Sequence, residues 1–293
     1  GQGPGEYKTI HFCMIDEKQK RIYLGPGRAN KILTYDLKGN YLSDEAIHFK
    51  EIVHKPCIWM DHDKKHVTVV GLPFSENENS NFEISNNVCW VQNREGDIVH
   101  RISANHYGLI GDYSNGLVAC RNVDAISFSI FEDPMLRTRP DTLYHYDAVK
   151  NIITPRFTID HVVSENQSAC TVLYETSRSY WARVTLYPND ISSNSSPVRL
   201  TTFNVCVSKK DGSVKRIDRF TNDFLGLSYP FLTMRNGYVC ISYDPLELMD
   251  ALDKVLTQTD LKPEIRKRAT GLRNSLQEND NDILMIGKLK SNY

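Results

Sequence analysis

The 293-residue sequence has no run of 18 or more apolar residues, so no segment is long enough to cross a bilayer as a helix. It also lacks a charge excess. Thirty-five Lys and Arg stand against 36 Asp and Glu, for a formal net charge of −1. That is not the basic footprint of a nucleic-acid binder. No GxSxG, HExxH, Walker A or strand-linked GxGxxG signature occurs, so no cofactor is expected and no catalytic residue can be assigned. The seven cysteines (Cys13, Cys57, Cys89, Cys120, Cys170, Cys206, Cys240) never stand in CxxC spacing. Their odd number and even spread argue against a zinc site or a disulfide framework; they are expected to be buried free thiols acting as small hydrophobes. The opening Gly1–Gly5 has no leader-like character. It fits either the start of a cytosolic protein or a mature form whose targeting segment has been removed.

What is present is a recurring strand–turn–strand pattern. Lys31–Leu42 turns at Gly39-Asn40, and the same shape returns at Asn87–Ile102, Thr142–Ile159 and Phe203–Phe220. A Gly or Asn in each turn supplies the positive φ of a tight hairpin. Each of these hairpins has another before it, at Ile10–Leu24, Cys57–Val70, Leu109–Cys120 and Cys170–Tyr187, with a fifth at Phe231–Tyr243. The second of the set turns at Asp61–Lys65, the third at Tyr113–Gly116 and the fourth near Thr176–Ser179. Paired hairpins at this spacing predict an all-β fold, a β-propeller of four-stranded blades with five blades visible, forming one domain over 1–293. One segment breaks the pattern. Asp244 is a plausible N-cap before Pro245, and Leu261, Ile265, Ala269, Leu272 and Leu276 share one helical face. A helical insertion over 245–279 is therefore expected in the last blade, packed on the propeller, with a strand resuming at Ile283.

The opening Gly-Gln-Gly-Pro-Gly-Glu-Tyr, the segment Asn222-Asp223-Phe224-Leu225-Gly226 and the closing stretch Glu278–Lys290 resemble the six-bladed, TolB-like or NHL-like propeller lipoproteins of Bacteroidetes. The resemblance covers nearly the whole chain. It implies a periplasmic or outer-membrane location, with membrane attachment only through a lipid anchor. It implies no specific activity, because that family is largely uncharacterised. The count of five blades departs from the family's six.

In such blades the connections between second and third strands lie on one face of the disc. Here they are Gly25–Asn30, Gly71–Asn86, Arg121–Asp141, Pro188–Leu200 and the helical segment; four of the five are long. Long loops on a rigid scaffold are where binding usually resides. The blade-to-blade links deliver Tyr7, His54, Tyr107 and Tyr229 to the expected channel mouth, where rings with polar tips suit sugars or peptides; inter-blade packing is the competing reading of each. Tyr180 and Trp181 are expected to pack. Asp61, His62, Asp63 and His66 resemble metal ligands, but they sit in a hairpin turn where successive side chains diverge, so no metal site is expected. The oxygen-rich loop 76–81 lacks EF-hand spacing. The favoured function is a binding module for a glycan, peptide or protein; the alternative is a carbohydrate-active lyase or hydrolase working at the channel mouth.

Overall fold

A computed structural model describes residues 3, 5–7, 9–61, 63, 65–74, 86–109, 115–122, 125–132, 139–160, 167–188, 200–232, 234–235 and 238–288. The chain forms two compact units, Gly1–Val172 and Leu173–Tyr293.

The first unit holds two antiparallel sheets whose strands lie side by side in chain order. The larger consists of β1 (Ile10–Asp16), β2 (Arg21–Pro26), β3 (Arg28–Asp36), β4 (Ile47–Asp61), β5 (His66–Leu72), β6 (Asn87–Gln92) and β7 (Ile98–Ser103). The smaller consists of β8 (Gly116–Asn122), β9 (Ala125–Phe131), β10 (Asp141–Asp147) and β11 (Ile152–Ile159). Composition explains which strands are central. β5 (His-Val-Thr-Val-Val-Gly-Leu) and β6 (Asn-Val-Cys-Trp-Val-Gln) are buried along almost their whole length, while β7 and β11 leave most positions exposed, as sheet-edge strands can. Ile32, Ile47, Ile58, Val69, Trp90, Phe128 and Tyr146 belong to one continuous core, each stabilising by about 1.5–3 kcal/mol on burial.

The hairpin turns fall largely where the repeat placed them. Lys20, Lys65 and Asn151 have φ of 56°, 55° and 54°, and Gly39, Gly96 and Gly212 hold the corresponding left-handed positions elsewhere. Lysine thus supplies the positive φ in two turns, at about 1–2 kcal/mol of local cost. The turn of the expected hairpin Leu109–Cys120 lies outside the described residues; Leu109 bridges to Phe74 in parallel, and β8 pairs with β9 in a hairpin between Asn122 and Ala125. A Cβ at Gly116 would stand 1.8 Å from the Phe131 ring, so this glycine permits close cross-strand packing at the start of β8. Of the expected loop Arg121–Asp141, Arg121, Asn122 and Ala125–Phe131 are strand, with Ile126, Phe128 and Ile130 alternating into the core, while 123–124 and 133–138 lie outside the described residues. Gly25–Asn30 is drawn into the neighbouring strands, Gly25 pairing with Phe12 and Arg28 with His54 on either side of Gly27.

β12 (Gln167–Glu175) carries the chain across the boundary into the second unit, where it, β13 (Ser179–Pro188), β14 (Thr201–Ser208) and β15 (Val214–Ile217) again run in chain order. The short pair β16 (Phe220–Thr221) and β17 (Ser228–Tyr229) follows, then β18 (Met234–Arg235) and β19 (Tyr238–Tyr243). Two helices come next, α1 (Pro245–Leu256) and α2 (Pro263–Ser275), before β20 (Ile283–Lys288) returns to pair with β19. The Asp244 carboxylate accepts from the Leu246 and Glu247 amides at 2.9 and 3.4 Å, the N-cap expected from sequence. Leu248, Leu252 and Ala269 are fully buried, and Leu261, Leu272 and Leu276 pack beside them against Leu225, Leu227 and Tyr229. Arg273 grips Asp253 through two bonds of 2.8 and 3.0 Å, joining the helices on their outer side.

The thiols are only partly as expected. Cys57, Cys89 and Cys206 are buried, whereas Cys13 and Cys240 are exposed. Each exposed thiol follows a buried residue, Phe12 or Val239, and strand alternation turns it outward.

Candidate binding site

Strand register builds the floor of the site. Trp181 opposes Cys206, Cys206 opposes Lys215, and Asn204 opposes Ile217, so Trp181, Cys206, Lys215 and Ile217 share one face of the β12–β15 sheet. Trp181 is 2% exposed and its ring lies 5.9 Å from that of Phe220. A cavity of about 520 Å³ opens beside this pair. Trp181 and Ile217 line one side, Phe220, Asn222 and Tyr229 of the β16–β17 hairpin another, and Val239, Ile241 and Met285 of β19–β20 complete it.

The hairpin wall is rigid because Asn222 bonds in four directions. Its Oδ1 accepts from the Phe224 and Leu225 amides at 2.9 and 2.7 Å, an Asx turn. Its Nδ2 donates to the Tyr229 hydroxyl at 3.2 Å and to Met285 Sδ at 2.8 Å. Its own amide donates to the Leu227 carbonyl, and its carbonyl accepts from Gly226, each at 2.9 Å. Gly226 closes the loop at φ +76°, with Leu261 and Ile265 of the helical segment about 3 Å from where a Cβ would stand.

The loop leaves Phe224 at the mouth, 59% exposed. Arg268 holds it from behind. The guanidinium lies 4.8 Å from the ring centre and donates to the Phe224 carbonyl at 2.8 Å. Arg219 and Lys288 also line the cavity. Arg219 donates to the Ser228 hydroxyl at 2.8 Å, and the Lys288 ammonium lies 5.8 Å from the Tyr238 ring centre. Burial, reinforced by the Tyr229 hydroxyl, pushes the neighbouring Tyr243 phenol well above its usual range. The site can therefore stack a planar or apolar body against aromatic rings and meet its polar groups with fixed donors.

Of the four residues expected at a channel mouth, Tyr229 is a wall of this cavity. The other three belong to the first unit and have different surroundings. Tyr7 is exposed just after a turn in which the Gly3 amide donates to Glu6 Oε2 at 2.7 Å. His54 is buried in β4, its ring edge-on to Phe74 at 4.7 Å. Tyr107 is half-buried and T-stacked on Tyr144 at 5.6 Å; burial raises its phenol pKa, and its carbonyl accepts from Arg139 Nη2 at 2.7 Å. Sequence reasoning missed Phe224, Arg219 and Lys288 as site residues. The available signal was an aromatic residue between Asn222 and Gly226, a pair that suits a turn.

Asp61 and His66 pair across the β4–β5 turn, while His62 lies outside the described residues, as does the loop 76–81. Among the described residues no three His, Cys, Asp or Glu side chains converge as metal ligands, and no helix is long and apolar enough to span a membrane.

No curated protein matches the chain. Several solved structures resemble it, and two of them differ in kind. A candidate exported protein of Bacteroides fragilis is 15% identical with a TM-score of 0.57, over 99% of this chain and 80% of that one. An acylaminoacyl peptidase of Pyrococcus horikoshii is 14% identical with a TM-score of 0.38, over 79% of this chain and 35% of that one. The first likeness is one of fold. A family model, the domain of unknown function DUF4934, matches residues 1–288, and the chain belongs to that family.

Proposed function

We propose that this protein is a binding module that recognises a glycan or peptide through the aromatic cavity of its second unit. The observation that carries the reading is the cavity itself: Trp181, Phe220 and Tyr229 form its walls, and Phe224 is held exposed at its mouth by Asn222 and Arg268. Aromatic rings with fixed donors are how proteins hold sugar faces and peptide side chains. The scaffold we infer is a β-propeller, on the six-bladed plan of the TolB-like and NHL-like lipoproteins. In support, β8–β11 and β12–β15 are antiparallel sheets of four strands in chain order, as blades are, while β1–β7 form one continuous sheet. We place the protein in the periplasm or at the outer membrane, attached if at all by a lipid anchor; the exported fold relative supports this.

A glycan and peptide array with the purified protein, repeated with Phe224→Ala and Arg219→Ala, tests the reading. Both side chains are exposed, so both variants fold. A bound probe is expected to weaken about tenfold with Phe224→Ala, the scale of a lost aromatic contact. Unchanged binding by both variants would move the site elsewhere. Cell fractionation checks the compartment, and a cytosolic protein would overturn that assignment.

A further inference from the structure

A second cavity, of about 700 Å³, adjoins the first, and Ile217 lines both. Its walls are two hairpin turns, Thr176–Ser179 between β12 and β13 and Lys209–Ser213 between β14 and β15. Lys209 locks them together. Its amide donates to the Arg178 carbonyl at 2.9 Å, and its ammonium donates to the Thr176 carbonyl at 2.7 Å and pairs with the buried Glu175 carboxylate at 2.5 Å.

The remaining cations in the wall are Arg178, Lys210 and Lys215. Among the described residues none of these three makes an ion pair. The lining carboxylate, Asp211, is engaged by the Ser213 amide of its own turn at 3.0 Å. Ser179 and Ser208, opposed in register, also line the wall, the Ser208 hydroxyl being engaged by Asp211 and by the Lys210 amide at 3.3 Å. A chain of net charge −1 thus concentrates unpaired positive charge in one concavity, beside an aromatic one. Concave walls focus such a field and hold anions there. A small free anion would satisfy the cations and leave the adjoining rings unused. A chain of sugar rings carrying acid groups matches both.

We propose that the basic cavity binds the sulfate or carboxylate groups of an anionic oligosaccharide whose rings lie against the neighbouring aromatic walls. This rests on the reading of the aromatic cavity as a binding site and assigns the ligand its charge. Arg178 and Lys210, at the turn tips, take the acid groups. Lys215 stands in the wall of the basic cavity on the same sheet face as Trp181, and Ile217 lines both cavities.

Titration calorimetry of the full chain tests it with four probes: a sulfated oligosaccharide, an oligouronate, a neutral oligosaccharide of equal length and polyphosphate. At least one acidic saccharide is expected to bind more tightly than the neutral one. Lys210→Ala/Lys215→Ala is expected to weaken it about tenfold or more, and Phe224→Ala to weaken it independently. The arm that binds tells sulfate from carboxylate. Neutral sugar binding as tightly as acidic, unaffected by the lysine variant, would overturn the charge assignment and leave the aromatic site standing. No binding by any saccharide would overturn the anionic-oligosaccharide assignment, and the aromatic cavity would then stand or fall on the peptide array. Polyphosphate binding as tightly as the acidic sugars, with no effect of Phe224→Ala on either, would make this a general polyanion site and overturn the saccharide assignment.

Discussion

At Asn222 one short side chain holds a turn with its oxygen and braces Tyr229 and Met285 with its nitrogen. Asn222→Ala removes all four bonds, and a loss of about 2–4 kcal/mol is expected in urea unfolding. Gly226→Ala places a side chain at φ +76° and against Leu261 and Ile265; strain and crowding predict a cost of about 1–3 kcal/mol by the same measurement. Asp211 responds to pH. The Ser213 amide and the Ser213 and Ser208 hydroxyls hold its carboxyl down, to about 2. A depressed carboxyl contributes stability above its unfolded value, 3.8, and loses it as pH falls through the folded one. The stability difference between the wild type and Asp211→Asn should therefore be constant above about pH 5, shrink as the pH falls, and vanish below about pH 2. A difference that persists at the acid end would show that the carboxylate charge is not its source.

Among elements, the helical pair was the most legible in sequence. Asp244-Pro245 marked its start, and the spacing of Leu261, Ala269, Leu272 and Leu276 marked the face that packs. Asp244→Ala should cost about 1 kcal/mol through the lost cap. Leu252→Ala should cost about 2–5 kcal/mol through a cavity in the second core, read as reduced amide protection in α1 and α2. Most hairpins were equally readable, because turn residues and period-two alternation agreed. β8–β9 was not, since Asn115-Gly116 looks like a turn while Gly116 answers to the Phe131 ring across the sheet. Local chemistry cannot reveal a demand made by a residue fifteen positions away. The cavity was unreadable for the same reason. Trp181, Asn222 and Met285 come from distant segments and meet only through strand register and one side chain's bonds.

For the whole molecule, 35 cations and 36 anions nearly cancel, so salt has little net repulsion to screen. Raising ionic strength from about 50 to 200 mM should leave the melting temperature within about 2 °C, while weakening an acidic ligand at Arg178, Lys210 and Lys215 several-fold. A melting temperature that follows salt as closely as binding does would disconnect the effect from the groove. The position of Trp181 has an optical consequence. The chain has three tryptophans: Trp59 and Trp90 lie in the first unit, and Trp181 is alone in the second. With Trp59 and Trp90 replaced by phenylalanine, all indole emission would arise from the wall of the aromatic cavity. The protein would then carry its own fluorophore at the proposed site, and occupancy would be visible as a change in colour and intensity without any added label.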